Sequence, residues 1–146
     1  MRIELVLNDR RVTLEARSDE MLLSALRREG LLSVRATCEI GICGACTVLL
    51  DGETATGCLT LAAQAEGREV TTVEGLGGHP VQRAFADAHG FQCGWCTPGF
   101  VLAAKALVEE ADGELTDAEI AEGLGGNLCR CGSYLKIAEA VKRCGT

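Results

Sequence analysis

Cysteine is the residue type with the most chemistry to offer in this sequence, since a thiolate binds soft metals, forms disulfides and takes part in redox reactions. Nine of the 146 residues are cysteine, and eight of them fall into two groups of four. The first group is Cys38, Cys43, Cys46 and Cys58. The second group is Cys93, Cys96, Cys129 and Cys131. In a reducing compartment such a density indicates metal binding rather than disulfides. Cys144 lies outside both groups, and we expect it to be a free thiol.

The first group has the spacing C-x4-C-x2-C, with eleven further residues before the fourth cysteine. This is the spacing of plant-type [2Fe–2S] sites, in which one tight loop supplies three thiolates and a neighbouring segment supplies the fourth. We expect the loop to curl at Gly41 and Gly44 with its amide N–H groups directed at sulfur, because glycine tolerates positive φ and has no Cβ to block the approach. Such N–H···S bonds raise the cluster potential. Zinc and disulfides are the competing interpretations, but zinc sites usually have two cysteine pairs on separate knuckles.

The second group has the spacing C-x2-C, then 32 residues, then C-x-C. Taken alone, this pattern is also compatible with a zinc site, and a bare C-x2-C with a redox dithiol. Its position in the chain is informative, because Cys96 directly precedes a predicted helix start at Thr97-Pro98 and Cys131 precedes the last predicted helix. The positive N-terminus of a helix favours anionic ligands. Two helices could therefore close a thiolate site between them.

The charge of the chain excludes several classes of partner. The formal net charge is −7, which disfavours nucleic acids and anionic membrane surfaces, since both require a basic face. No apolar run approaches the roughly 20 residues of a membrane span. Met1–Leu7 alternates apolar and polar residues like a strand and does not resemble the apolar core of a secretory signal. We therefore expect a cytoplasmic protein.

Period-2 alternation and runs of β-branched residues predict that the first half of the chain is rich in β-strands. The predicted strands are Ile3–Leu7, Val12–Glu15, Thr47–Leu50, Glu53–Thr56 and Val70–Val73. Asn8-Asp9 and Asp51-Gly52 suit the two-residue turns of hairpins. One helix is expected in this half, capped by Ser18 or Asp19 and ending before Gly30. Its apolar face would consist of Met21, Leu22, Ala25 and Leu26.

The pattern of the second half predicts helices. The predicted helices are Val81–His89, Pro98–Glu110, 116–125 and Tyr134–Arg143. Thr97 is expected to cap the second of these, and Thr116 with Glu119 forms a capping box for the third. The glycines at 75, 77 and 78 separate the halves. We predict an α+β fold with two domains, 1–76 and 77–146, each holding one cysteine group.

Three strings carry a resemblance to a known family: CEIGICGACTV at 38–48, QCGWCTPG at 92–99 and NLCRCGSY at 127–134. They resemble the signatures of the small iron–sulfur subunit of the xanthine oxidase family of molybdenum hydroxylases. That family includes aldehyde oxidoreductases, aerobic carbon monoxide dehydrogenases, isoquinoline and nicotinate dehydrogenases and hydroxybenzoyl-CoA reductases. The similarity spans nearly the whole chain in the family's order. One departure is Gly132-Ser133, where many members have Thr-Gly.

The resemblance implies a plant-ferredoxin-like (β-grasp) domain with a [2Fe–2S] cluster on the first cysteine group, followed by an all-α four-helix domain with a second [2Fe–2S] cluster on the second group. It also implies a large subunit whose molybdopterin lies beside the second cluster, and a FAD-bearing medium subunit facing the first. Electrons would leave molybdenum through the second cluster and then the first. Gln92 and Cys131 would be the residues nearest the pterin.

Two other functions are compatible with the residues: a free-standing two-cluster ferredoxin and a zinc-stapled interaction module. The first predicts a stable monomer, and the second predicts no visible absorbance. No sequence signature of a catalytic base, nucleophile or substrate pocket is present. We therefore expect no catalytic residue in this chain, and a role as an electron-transfer subunit of a molybdenum-containing oxidoreductase.

Overall fold

A five-stranded mixed sheet forms the first half of the protein in the computed structural model, which describes residues 1–144. The strands are β1 (Arg2–Leu7), β2 (Arg10–Glu15), β3 (Thr47–Leu50), β4 (Glu53–Thr56) and β5 (Glu69–Thr71). Their order in the sheet is β2-β1-β5-β3-β4, and the β1–β5 pair is parallel while the other pairs are antiparallel. Together with the helices described below, this is an α+β fold.

Both predicted hairpins are confirmed. Asn8 and Asp9 have φ values of 50° and 65°, and Asp51 and Gly52 have φ values of 53° and 85°. Two consecutive positive φ values are what a type I′ turn requires. The predicted fifth strand, Val70–Val73, ends two residues later than β5, which ends at Thr71. The N–H of Thr72 donates to the Asn8 side chain at 2.8 Å, so the chain leaves the sheet at that point.

Helix α1 (Leu22–Arg28) packs on the sheet with Leu22, Leu23, Ala25 and Leu26 buried. The predictions that Ser18 or Asp19 caps this helix and that Met21 lies on its apolar face are wrong, because Met21 is exposed and occupies the N-cap position without a side-chain cap. The first amides of the helix are satisfied by backbone instead. Leu22 N–H donates to Thr60 O at 2.7 Å and Leu23 N–H to Gly57 O at 3.0 Å. The start of α1 is thereby fixed against the segment that contains Cys58.

The second half consists of helices α2 (Pro80–Asp87), α3 (Thr97–Glu110), α4 (Asp117–Gly123) and α5 (Tyr134–Cys144). The capping box of Thr116 and Glu119 is confirmed at the start of α4. The prediction of Thr97 as a cap is wrong, since Cys96 is the N-cap of α3 and Thr97 is already helical. None of the helices within residues 1–144 is long and apolar enough to span a bilayer.

Each half of the protein has its own apolar core. The first lies between the sheet and α1 and includes Ile3, Leu26 and Val70. The second lies among α2 to α5 and includes Phe85 and Phe100. The halves meet where α3 packs against β3. The fold therefore places both cysteine groups close to one internal boundary.

Candidate metal centres

The first cysteine loop, residues 38–46, lies between α1 and β3 and is shaped by two glycines. Gly41 and Gly44 have φ values of 77° and 70°, a region that favours glycine. The N–H of Cys43 donates to Cys38 Sγ at 3.4 Å. The N–H of Ala45 donates to Cys43 Sγ at 3.5 Å. The expectation that glycines turn the backbone amides of this loop towards sulfur is confirmed.

The structure brings all four cysteines of the first group into one neighbourhood. Backbone N–H groups of Ile40, Cys43 and Ile42 lower the pKa of Cys38 to about 6, so its thiol is largely ionised at neutral pH. Burial, followed by the nearby Cys58 and Cys43 sulfurs, raises the pKa of Cys46 to about 11. Cys58 is adjacent to Cys46 through the backbone, where Gly57 N–H donates to Cys46 O at 3.1 Å. The half-buried Cys38 thiol and the buried Cys46 thiol thus differ strongly in acidity.

The second cysteine group joins the N-terminus of α3 to the segment before α5. The N–H of Trp95 donates to Cys93 Sγ at 3.5 Å. Burial raises the pKa of Cys96 to about 12, with smaller contributions from the neighbouring Cys129 and Cys93 sulfurs. Burial acts in the same direction on Cys129, but the backbone N–H of Ser133, the Cys96 thiol and the backbone N–H of Cys131 outweigh it and lower the pKa of Cys129.

Cys93, Cys96 and Cys129 are therefore neighbours, and Cys131 lies at the exposed rim of the same group. Gln92, the other residue predicted near a pterin, is close to that rim. Its Nε2 donates to Cys131 O at 3.4 Å, and both residues are exposed. The structure thus places Gln92 and Cys131 side by side on the surface.

The two cysteine loops contact one another directly, which the sequence did not reveal. Leu128 N–H donates to Cys43 O at 2.9 Å. The buried Asn127 side chain donates to Gly44 O at 3.0 Å. A Cβ on Gly44 would lie 2.4 Å from Gly126 O, and one on Gly99 would lie 2.5 Å from Gly44 O. The only sequence signal of this close approach is that glycine occurs at both positions.

A second link between the loops involves the single tryptophan of the chain. Trp95 Nε1–H donates to Thr37 Oγ1 at 2.8 Å, one residue before Cys38. The Arg35 guanidinium lies 4.6 Å from the Trp95 ring centroid, within cation–π range. Arg35 N–H also donates to Ala45 O at 3.2 Å, inside the first loop. Arg35 thus touches both cysteine loops.

The donor set fits a sulfur-rich anionic group. Within residues 1–144 no cluster of three or more His, Cys, Asp or Glu side chains is arranged to hold a metal ion, so the test of fit is the chemistry around the sulfurs. Backbone N–H groups point at the sulfurs of Cys38, Cys43, Cys93 and Cys129. Two buried hydroxyl oxygens, Thr97 Oγ1 and Ser133 Oγ, adjoin the second group and have no partner among the described residues. Such donors suit the thiolates and sulfides of a [2Fe–2S] cluster.

Comparison with known proteins gives the family. Residues 5–73 match the 2Fe-2S iron-sulfur cluster binding domain, and residues 72–142 match the [2Fe-2S] binding domain. The nicotine 6-hydroxylase small subunit of Paenarthrobacter nicotinovorans is 46% identical over 143 residues, covering 95% of this chain and 86% of the relative. The chain belongs to the small iron–sulfur subunits of the molybdenum hydroxylases. The resemblance that the three cysteine strings carry is confirmed.

Further relatives agree with this assignment. The xanthine dehydrogenase iron-sulfur-binding subunit of Escherichia coli O157:H7 is 46% identical over 147 residues, covering 97% of this chain and 92% of the relative. The crystal structure of quinoline 2-oxidoreductase from Pseudomonas putida 86 superposes with a TM-score of 0.90 at 39% identity, covering 97% of this chain and 90% of that chain. As a member of this family, the protein has two [2Fe–2S]-binding domains and is an electron-transfer subunit of an oxidoreductase.

Proposed function

We propose that this iron–sulfur subunit passes electrons from a molybdopterin centre in a large partner subunit towards FAD or another acceptor. The observation that carries the proposal is the direct contact between two cysteine loops, each with amide N–H groups directed at its sulfurs. Leu128 N–H, next to Cys129, donates to Cys43 O at 2.9 Å. Electron transfer between two redox sites slows steeply with distance, and the contact between these loops keeps the two cysteine groups near one another.

The proposed ligands are the eight cysteines of the two groups. The first [2Fe–2S] cluster would be held by Cys38, Cys43, Cys46 and Cys58, and the second by Cys93, Cys96, Cys129 and Cys131. When bound, these clusters supply one-electron redox chemistry. The protein's own contribution is to hold the thiolates, direct N–H donors at them and exclude water from the inner edge. The buried Cys46, Cys58 and Cys129 form that edge.

We also propose a plant-ferredoxin-like (β-grasp) domain over 1–76 and a four-helix domain over 77–146. The mixed sheet with α1 and the separate core among α2 to α5 support this division. Val73 and Leu76 already pack against the second core, so the chain begins to join the helical half slightly before the proposed boundary.

The surface around the second cysteine group is suited to a large molybdopterin-binding subunit. Leu128, Tyr134 and Leu135 line one groove, and Leu135 is 87% exposed. Large apolar side chains are exposed together mainly where a partner covers them. Gln92 and Cys131 lie at the exposed rim of this cysteine group, and we propose that they face the pterin.

The surface around the first cysteine group is apolar as well. Ile40, Ile42 and Leu59 are exposed, and Leu59 lies over Gly41 of the cysteine loop. We propose that a FAD-binding medium subunit covers this patch. The free thiols that cluster ligation requires also agree with a reducing compartment, and a cytoplasmic location is part of the proposal.

The decisive experiment is anaerobic purification of the native complex, followed by metal analysis and electron paramagnetic resonance (EPR) after dithionite reduction. We expect a molybdenum-bearing large chain and two distinguishable S = 1/2 signals. One signal would contradict the two-cluster assignment. Two signals in a stable monomer without a partner would indicate a free-standing ferredoxin, and a colourless chain containing zinc would indicate an interaction module.

The position of Gln92 has its own test. In the complex, Gln92→Ala should leave both EPR signals intact after dithionite but slow cluster reduction by substrate. Gln64→Ala, which removes an exposed amide near the first core, is the matched control and should leave both rates unchanged. Equal rates in the wild type and both variants would contradict the placement of Gln92 beside the pterin.

A further inference from the structure

We propose that the Ser133 hydroxyl donates a hydrogen bond to sulfur at the second cysteine site and raises the reduction potential of the cluster bound there. The inference rests on the proposed function, because it requires a cluster on the second cysteine group. It goes beyond that function in assigning a potential-setting role to a residue that is not a ligand.

Ser133 is buried without an evident structural purpose for its hydroxyl. The residue is only 5% exposed, and its Oγ has no hydrogen-bond partner within residues 1–144. A serine just before a helix ordinarily accepts a bond from the second or third helical amide. Ser133 stands in that position before α5 and makes no such bond. Burying a polar group without a partner is costly, so this unpaired hydroxyl points to an acceptor supplied by a bound group.

The surroundings of Ser133 indicate that this acceptor is sulfur. Its backbone N–H donates to Cys129 Sγ at 3.4 Å, which places the residue directly beside the second cysteine group. The position of the residue is fixed from both sides. Ser133 O accepts from Ile137 N–H at 2.9 Å, and the preceding Gly132 has a φ of 77°. Cys129 N–H donates to the Tyr134 hydroxyl oxygen at 2.8 Å, and Ser133 contributes an N–H to Cys129 Sγ while its own hydroxyl has no partner among the described residues.

The effect on potential follows from charge. When a cluster is bound at the second site, its reduction would add one electron, and therefore one negative charge, to the group held by the thiolates. An O–H dipole directed at sulfur stabilises that added charge. The proton remains on Ser133 Oγ, and no covalent bond forms or breaks. Loss of the hydroxyl should therefore make the potential of the second cluster more negative while the first changes little.

Two substitutions separate this role from helix capping. Ser133→Ala removes both the hydroxyl and any capping ability. Ser133→Gly also removes the hydroxyl but keeps a residue that is accepted at helix N-caps almost as well as serine. Ser133→Thr restores an O–H donor. Ser24→Ala, at an exposed position on α1, is the matched control.

The measurement is a redox titration of the intact complex followed by EPR, with Cys129→Ser used to identify the signal of the second site. Pulsed electron–nuclear double resonance after exchange into D2O counts the exchangeable protons coupled to that site. We expect Ser133→Ala and Ser133→Gly to lower the potential of that signal alone and to lose one exchangeable coupling. Ser133→Thr should recover both, and Ser24→Ala should match the wild type.

The outcomes distinguish the two proposals. A wild-type complex with only one EPR signal would overturn the two-cluster function itself. Two signals with unchanged potentials and unchanged proton couplings in Ser133→Gly would overturn the role of Ser133 alone. If Ser133→Ala lowers the potential and Ser133→Gly does not, the effect arises from helix α5 and the inference is also overturned. If Ser133→Ala and Ser133→Gly both contain little iron, Ser133→Thr decides the outcome. Full iron content and the wild-type potential in Ser133→Thr support the inference, and a lower value of either overturns it.

Discussion

Leu128 and Cys43 are joined by a backbone hydrogen bond of 2.9 Å, which connects the residue before Cys129 to the middle of the first cysteine loop. Because both partners are main-chain atoms, the contact does not depend on the identity of either side chain. Its geometry depends instead on the neighbours that let the two backbones approach. Asn127 and Gly44 are those neighbours, and they give the most direct tests of how the two sites are held together.

Asn127→Ala should destabilise the junction of the two halves. Asn127 is buried, and its Nδ2 donates to Gly44 O at 3.0 Å and Thr47 Oγ1 at 3.3 Å. Removing a partner from buried polar atoms costs about 1–3 kcal/mol of the free energy of unfolding. Anaerobic denaturant unfolding followed by circular dichroism measures it. Ser24→Ala, at an exposed position on α1, should change the free energy by less than about 0.5 kcal/mol. Equal effects would contradict the buried role of Asn127.

Gly44→Ala should impair the first cysteine site more than strain alone explains. Gly44 has a φ of 70°, and an added Cβ would lie 2.4 Å from Gly126 O, a backbone atom. Gly30 has a φ of 86° with no atom within 4 Å of the added Cβ, so Gly30→Ala measures the strain alone. That strain costs about 1–2 kcal/mol. We expect lower iron content and a larger stability loss in Gly44→Ala. Equal losses in both variants would show that the close approach is unimportant.

The parts of the fold that follow from local chemistry could be predicted from the sequence. Asn8-Asp9 and Asp51-Gly52 specify their turns because few other residue pairs accept two positive φ values. Thr116 and Glu119 specify the start of α4 by bonding each other's backbone. The cysteine spacing likewise indicated two [2Fe–2S]-binding domains, which the family matches confirm, because a loop that binds a cluster must place its thiolates within a short stretch of chain. The eight individual ligands stay a prediction.

The parts that depend on distant segments could not be predicted. The N-terminus of α1 is satisfied by carbonyls of Gly57 and Thr60 rather than by a local Ser or Asp cap. At α3 the start lies one residue earlier than expected, with Cys96 itself as the N-cap. The contact of Trp95 with Thr37 joins residues 58 positions apart. Nothing in local propensity specifies such pairs.

Arg35 and Trp95 should be energetically coupled. The guanidinium lies 4.6 Å from the ring centroid, and an exposed cation–π pair contributes about 0.5–1 kcal/mol. A double-mutant cycle with Arg35→Ala and Trp95→Ala should give a coupling free energy of that size in anaerobic unfolding. The control cycle combines Arg2→Ala with Trp95→Ala, since Arg2 on β1 pairs with Glu15 on β2. That cycle should be additive within about 0.5 kcal/mol, and additivity in both cycles would contradict the pairing.

Cys144 should be the single cysteine open to alkylation in the iron-loaded protein. Iron would protect the eight proposed ligands, whereas Cys144 is not among them and its Sγ donates to Ala140 O at 3.3 Å. Burial raises the pKa of Cys144, so at any given pH a smaller fraction is thiolate than for a free thiol with a pKa of about 8.5. Iodoacetamide labelling should therefore be slow at neutral pH. Its rate should keep rising at pH values where a short unstructured cysteine peptide, added as an internal standard, has reached its plateau.

Peptide mass spectrometry reads out the labelling site, and unfolding with an iron chelator provides the control in which all nine cysteines react. The ligand assignment makes a strict demand on this experiment, because each unligated thiol removes one of the bonds that hold iron. Label on any of the eight proposed ligands at full iron occupancy would therefore contradict the assignment of that residue. A Cys144 rate that levels off together with the standard would instead contradict the raised pKa and leave the ligand assignment standing.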